Sequence, residues 1–177
     1  MLPCKFWHVC YLKPRSEKIV KKKIEELQFE VFLPLVKQVK IYKTAKKNIL
    51  LPLFPGYIFV NITPGYRHHI TEIPEVYRFI KFKNEYARVS DEEIENLQIL
   101  VKNIKNHSEI QSEVLFQQGK IVEVTEGPFQ GIRGKIITMN GKRRVMIQID
   151  AIKQAMSIDI DAKYLSKVES HQFKING

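Results

Sequence analysis

Residues 1–105 carry 14 of the chain's 18 aromatics and seven of its eight prolines, whereas five of its eight glycines fall between Gly119 and Gly141. A polypeptide divided in this way cannot be packed by one rule throughout. Large rings fill a core behind long elements, while closely spaced glycines serve tight turns between short ones. The break near residue 105 therefore predicts two folding units of different architecture, joined by the polar, aperiodic stretch KNHSEIQSEV (105–114). A length of 177 residues suits one medium and one small unit, and 44% hydrophobic residues suffice to give the chain a real core.

In the first part, FWHVCYL (6–12) sets Trp7, Val9 and Tyr11 against His8 and Cys10, the alternation of a strand. Pro14 ends it. Ser16 is placed to cap a helix over 17–28, with Glu17 in its first turn and Ile19, Val20, Ile24 and Leu27 facing inward. EVFLPLVKQVKIY (30–42) is β-like, with Pro34 marking an edge or a break, and KTAKKN (43–48) reads as a hairpin tip. GYIFVNI (56–62) is a strand, YRHHITEI (66–73) a short helix and VYRFIKF (76–82) another strand. Ser90 and Glu93 have the spacing of a capping box, and behind them Ile94, Leu97, Val101 and Ile104 form one apolar stripe. The order β-α-β-β-α-β-α predicts an α+β class, as a ferredoxin-like α/β sandwich with an added helix.

The second part has no helical period. GKIVEVT (119–125), GKIITM (134–139), RVMIQID (144–150) and AMSIDI (155–160) alternate between Gly-rich turns, the spacing of a small β-barrel.

A net charge of +10 favours a polyanionic partner. Most of it lies early: residues 1–50 are +8, residues 51–100 are −2 and residues 101–177 are +4. Any single lysine is better read as solvating surface, but the asymmetry as a whole points to a basic face. No 18-residue apolar run and no signal-peptide pattern is present, and two cysteines are too few for a disulfide framework. The expectation is a cytoplasmic protein with no membrane partner.

No catalytic constellation emerges. Cys4, His8 and Cys10 lack a second ligand pair at zinc spacing, so no metal is expected. Neighbouring His68 and His69 have no nucleophile motif around them, and their side chains are expected to diverge. GPFQGIRG (127–134) lies between strands and does not open a helix, so it is not a phosphate loop. A binding protein without enzymatic activity or cofactor is the default.

Two motifs then point to a family. LFPGYIFV (53–60) puts a Pro-Gly turn inside aromatics and resembles the central motif of the NusG/RfaH transcription elongation factors; GKIVEVTEGPFQGIRGKI (119–136) resembles a KOW motif. Their order and separation, Trp7 in the first strand, and VSDEEIENL (89–97) before a helix match as well, so the resemblance covers residues 6–168. It implies an NGN domain over 1–105, a linker over 106–116 and an SH3-like KOW β-barrel over 117–177. It also implies a monomeric elongation and antitermination factor whose NGN domain binds the clamp helices of RNA polymerase and suppresses pausing.

Carried over by position, the polymerase clamp-binding pocket is Tyr11, Phe54, Tyr57, Phe82, Ile94 and Leu97, an exposed concave apolar patch. Strand and stripe positions such as Phe82, Ile94 and Leu97 are as well suited to a core. His68, His69 and Thr71 correspond to a gate-loop contact on the opposite side. Lys13 and Arg15, with Lys18, Lys21 and Lys22 nearby, correspond to the site for the non-template DNA strand. In the KOW motif Gly127, Gly131 and Gly134 shape turns, while Phe129 is an exposed partner contact for termination factor Rho or a small-subunit ribosomal protein. A loop KIYKTAKKNIL (40–50) without Arg/Gly richness, together with the basic start, resembles the specialised UpxY-type paralogues, and the β-branched strands favour a barrel over a helical form of the second unit. The alternative is a ribosome-associated or general RNA-binding KOW protein.

Overall fold

The structure, a computed structural model, describes residues 4–41, 46–105, 111–113, 120–139 and 142–167. Strand β1 (Phe6–Leu12) leads into helix α1 (Glu17–Glu26), then β2 (Glu30–Phe32), β3 (Leu35–Ile41), β4 (Lys46–Pro52) and β5 (Tyr57–Ile62). Helix α2 (Arg67–Thr71) precedes β6 (Val76–Phe79), β7 (Lys81–Phe82), β8 (Glu85–Tyr86), β9 (Arg88–Val89) and helix α3 (Asp91–Asn103). The glycine-rich part adds β10 (Gln111–Glu113), β11 (Ile121–Val124), β12 (Arg133–Met139), β13 (Lys142–Ile149), β14 (Gln154–Asp159) and β15 (Leu165–Lys167).

The first sheet runs β2-β5-β1-β6, and β9 also pairs with β1. Because β1 is central, both of its faces are covered: Trp7 and Val9 enter one core, whereas Cys10 and Leu12 enter another with Val20 and Ile24 of α1. The sequence alternation is real, but it separates two buried faces and not an inside from an outside. Two helix expectations are corrected. Ser16 occupies the N-cap position of α1 without capping it, since its hydroxyl donates to the Lys13 carbonyl at 2.7 Å. Ile19 and Leu27 are exposed, because the buried line of α1 runs through Glu17, Val20 and Ile24. The Ser90–Glu93 capping box at α3 forms as expected, with Glu93 N–H donating to Ser90 Oγ and Ser90 N–H to Glu93 Oε2.

Pro34 does break the strand, separating β2 from the β3–β4 hairpin. Of the expected tip, residues 43–45 lie outside the described residues, while Lys46, Lys47 and Asn48 belong to β4. The expected strand over 76–82 is also interrupted. β6 and β9 both lie along β1, and the short hairpin β7–β8 projects between them. Its turn residues Lys83 and Asn84 have φ of 46° and 72°, the left-handed pair of a two-residue hairpin loop.

The second sheet runs β10-β14-β13-β12-β11-β15. Thus Gln111–Glu113, inside the polar stretch read as linker, pairs with β14. The halves share one apolar core: Trp7, Phe54, Ile94, Leu97 and Leu100 belong to the same cluster as Val122, Ile132, Val145 and Ile147. Helix α3 thereby becomes an inner element of the molecule.

Candidate functional site

The aromatic Pro-Gly stretch forms a tight turn. Tyr57 N–H donates to the Phe54 carbonyl at 3.1 Å, and Gly56 sits at φ 82°, a conformation suited to glycine in the third position of such a turn. Two long-range bonds fix it. Gly56 N–H donates to the buried carboxylate of Glu17 at 2.8 Å, and Leu12 N–H donates to the Gly56 carbonyl at 2.8 Å. Glu17 was expected only as a favourable charge in the first turn of α1; in space it ties α1 to the turn between β4 and β5. That role follows from a contact 39 residues distant and leaves no local signal.

The turn holds Phe54 and Tyr57 at different depths. Phe54 is 1% exposed and meets Phe59 edge-on at 6.0 Å, whereas Tyr57 is half-buried and its ring lies 5.4 Å from that of Tyr11. Tyr77, 55% exposed, extends this row at 5.7 Å from Tyr11. Ile94 and Leu97 are buried on α3, and Phe82 is exposed on the β7–β8 hairpin with Lys153 Nζ 5.5 Å from its ring centre. The six expected clamp residues therefore do not form an open patch. Phe54, Ile94 and Leu97 lie in the core shared with the second unit, Tyr11 and Tyr57 are partly exposed, and Phe82 stands apart on the hairpin.

The closure has polar teeth. Asn96, 6% exposed, uses both ends of its amide on the backbone of one residue: Nδ2 donates to the Arg133 carbonyl at 2.9 Å, and Oδ1 accepts from Arg133 N–H at 2.9 Å. Glu93 serves twice, accepting from Ser90 N–H through Oε2 and from Asp150 N–H through Oε1 at 3.1 Å. Gly127 and Gly131 have φ of 87° and 91°, as turn glycines should. A side chain at Gly131 would stand 3.4 Å from Ile99 Cδ1 of α3, so this turn faces the helix. Two expectations change here. Phe129 is half-buried against the shared core and is not an exposed tip, and Gly134 lies in β12, where a Cβ would come within 2.3 Å of the Met146 carbonyl oxygen.

His68, His69 and Thr71 are on α2, whose Ile70 enters the core on the opposite side of the first sheet. The two imidazoles do not diverge. Their centroids are 3.9 Å apart, because His68 Nδ1 turns back to the Gly65 carbonyl and His69 Nδ1 to the Tyr66 carbonyl. Thr71 Oγ1 donates to the His68 carbonyl at 3.0 Å. Among the basic residues, Lys18 donates to the Leu50 carbonyl, Lys21 pairs with Glu25 and Lys22 faces Glu26 at 4.0 Å. Lys13 and Arg15 are exposed at the end of β1, with no ion pair among the described residues, and Arg15 adopts a left-handed φ of 64°. No helix among the described residues is long and apolar enough to cross a membrane.

Sequence comparison bears on this arrangement. The family model described as "Transcription termination factor nusG" matches residues 5–98, more than half of the chain, from β1 through the Pro-Gly turn into the first half of α3. The transcription termination/antitermination protein NusG of Helicobacter pylori strain J99 is 24% identical over 175 residues, covering 92% of this chain and 98% of that protein. Its counterpart in Buchnera aphidicola is 25% identical over 148 residues, covering 81% of each. A solved structure, "Domain interaction in Thermotoga maritima NusG", covers 93% of this chain and 98% of that one at 21% identity, with a TM-score of 0.48. With the family model matched over more than half its length, the chain belongs to the NusG family of transcription factors.

Proposed function

We propose that the protein is a transcription elongation and antitermination factor which binds RNA polymerase at the clamp helices, and that the arrangement described above is its closed form. The supporting observation is the shared core: the positions that the family resemblance assigns to polymerase, Phe54, Ile94 and Leu97, are occupied by the protein's own second unit. An apolar face able to receive a helical partner is then kept from water until that partner competes for it. In this reading the first unit is an NGN domain of ferredoxin-like topology and the second an SH3-like KOW barrel. His68, His69 and Thr71 meet the gate loop, Lys13 and Arg15 meet the non-template DNA strand, and the barrel, once released, recruits Rho or a small-subunit ribosomal protein. The curated relatives carry the general NusG description, which supports a general role over an operon-specific one.

Capture by core RNA polymerase tests the reading. Asn96→Ala removes two hydrogen bonds that exist only when the units are together, about 1–3 kcal/mol in total, so it should raise apparent affinity roughly 5- to 150-fold. Tyr11→Ala combined with Tyr57→Ala trims the partly exposed end of the face without emptying the core, and should lower capture. Phe54→Ala is a poorer probe, because its loss would also open a cavity. If neither wild type nor Asn96→Ala is retained by polymerase while both are retained by ribosomal subunits, the ribosome-associated alternative holds instead.

A further inference from the structure

The β7–β8 hairpin walls an open cavity of about 670 Å³ lined by Arg67, Phe82, Asn84, Glu85, Tyr86, Ala87 and Arg88. This volume is within the roughly 300–1,000 Å³ of clefts that hold small ligands. Two cations line it and a third, Lys81, stands beside it on β7. Arg67 lies with Cζ 4.0 Å from the Tyr86 ring centre, Lys81 Nζ stands 4.2 Å from the same ring, and Arg88 Cζ is 3.9 Å from the ring of Phe6. No carboxylate among the described residues is within ion-pair distance of any of the three, including Glu85 on the lining.

The guanidinium of Arg67 is also aimed. Buried His8 donates from Nδ1 to the Ala87 carbonyl at 2.9 Å, which leaves Nε2 to accept from Arg67 Nη2 at 3.3 Å. That single neutral tautomer gives the arginine over Tyr86 a fixed acceptor. Arg67 Nε has no hydrogen-bond partner, and burial together with the like charge of Arg88 lowers the Arg67 pKa from the ordinary arginine range. Three neighbouring cations with no ion-paired carboxylate among the described residues, one of them partly desolvated, are a cost that an anion would relieve.

We infer that this cavity binds a phosphodiester of single-stranded nucleic acid, with Arg67 and Arg88 on the phosphate and a base against Phe82. Planar guanidinium groups match phosphate oxygens in pairs, which favours phosphate over a lone carboxylate. Phe82, 41% exposed beside the cations, supplies the flat surface on which an unpaired base stacks, and the Asn84 amide lies on the same lining. A duplex keeps its bases stacked and has none to offer such a ring. The lining includes none of the basic residues at the β1–α1 junction, and Phe82 is its one member among the positions that the family resemblance assigns to the clamp.

Amide ¹H–¹⁵N spectra of the full chain, titrated with a five-nucleotide single-stranded DNA, the matching RNA and inorganic phosphate, test the assignment. The expected result is shifts centred on residues 82–88 with either oligonucleotide, at an affinity about tenfold or more above that of phosphate. Arg88→Gln, an exposed change whose spectrum reports intact folding, should weaken the oligonucleotide about tenfold, the cost of one charge-assisted contact. Phe82→Leu should weaken it while leaving the salt dependence unchanged. Shifts confined to residues 13–23, an unaltered affinity in Arg88→Gln, or equal binding of inorganic phosphate would each overturn the proposal.

Discussion

Gly56 shows how much of this molecule rests on single backbone positions. Its φ of 82° excludes most side chains, and a Cβ there would press on the Tyr11 ring at 3.3 Å, so Gly56→Ala should cost about 1–2 kcal/mol. A fall of several degrees in the thermal midpoint, followed by circular dichroism, is the expected outcome. His8 makes a different prediction. Burial lowers its pKa, with the positive charges of Arg67 and Arg88 acting in the same direction and the bond to Ala87 opposing them. The folded chain therefore holds its imidazole neutral at pH values where the unfolded chain, with an ordinary value near 6.5, is already protonated. Since the unfolded state then binds more protons, stability declines as pH falls below about 6.5, by up to about 1.4 kcal/mol per pH unit until the folded pKa is reached. Urea midpoints measured from pH 7.5 to 5 should show that slope in wild type and a shallower one in His8→Gln; identical slopes would remove His8 from the account.

Among the elements, those with a sustained period were legible in the sequence and those made by proximity were not. β1, β5 and α3 announce themselves through alternation, aromatic content and a capping box, all local properties. The β7–β8 hairpin did not, because two-residue strands carry no period; its only trace is Asn84, a residue that tolerates left-handed φ, between Phe82 and Glu85. Ile19 was misplaced since a helix with apolar residues at 19, 20, 24 and 27 leaves the choice of buried face to its neighbours. Glycine misled in β12 for a related reason. Gly134 resembles its turn neighbours in sequence, yet its role is to let the β13 backbone approach, so Gly134→Ala should force β12 and β13 apart at about 1–3 kcal/mol or more. Hydrogen exchange should show that loss in β12 and β13, with α1 amides unchanged.

At the scale of the whole molecule, the residue types of the candidate face were readable but its state was not. Nothing local distinguishes an apolar stripe that waits for polymerase from one already covered, and α3 carries the same sequence in either case. The shared core makes the two units cooperative, so Asn96→Ala should loosen them together: amides of Ile132 to Gly134 and of the inward face of α3 should exchange faster by a common factor. Small-angle scattering should report a larger radius of gyration in the same variant. Unequal acceleration of the two segments would mean that they do not separate as one event. The Asn96 bond also sets which positions are free to drift. It reads only the peptide atoms of residue 133, so amino acids other than proline can keep these two bonds there, losing only what the Arg133 side chain adds through Glu123 and the α3 carboxylates Glu92 and Glu95, whereas position 96 needs an amide of this length. In a library randomised at both sites and selected for closure, diversity should survive at 133 and collapse at 96.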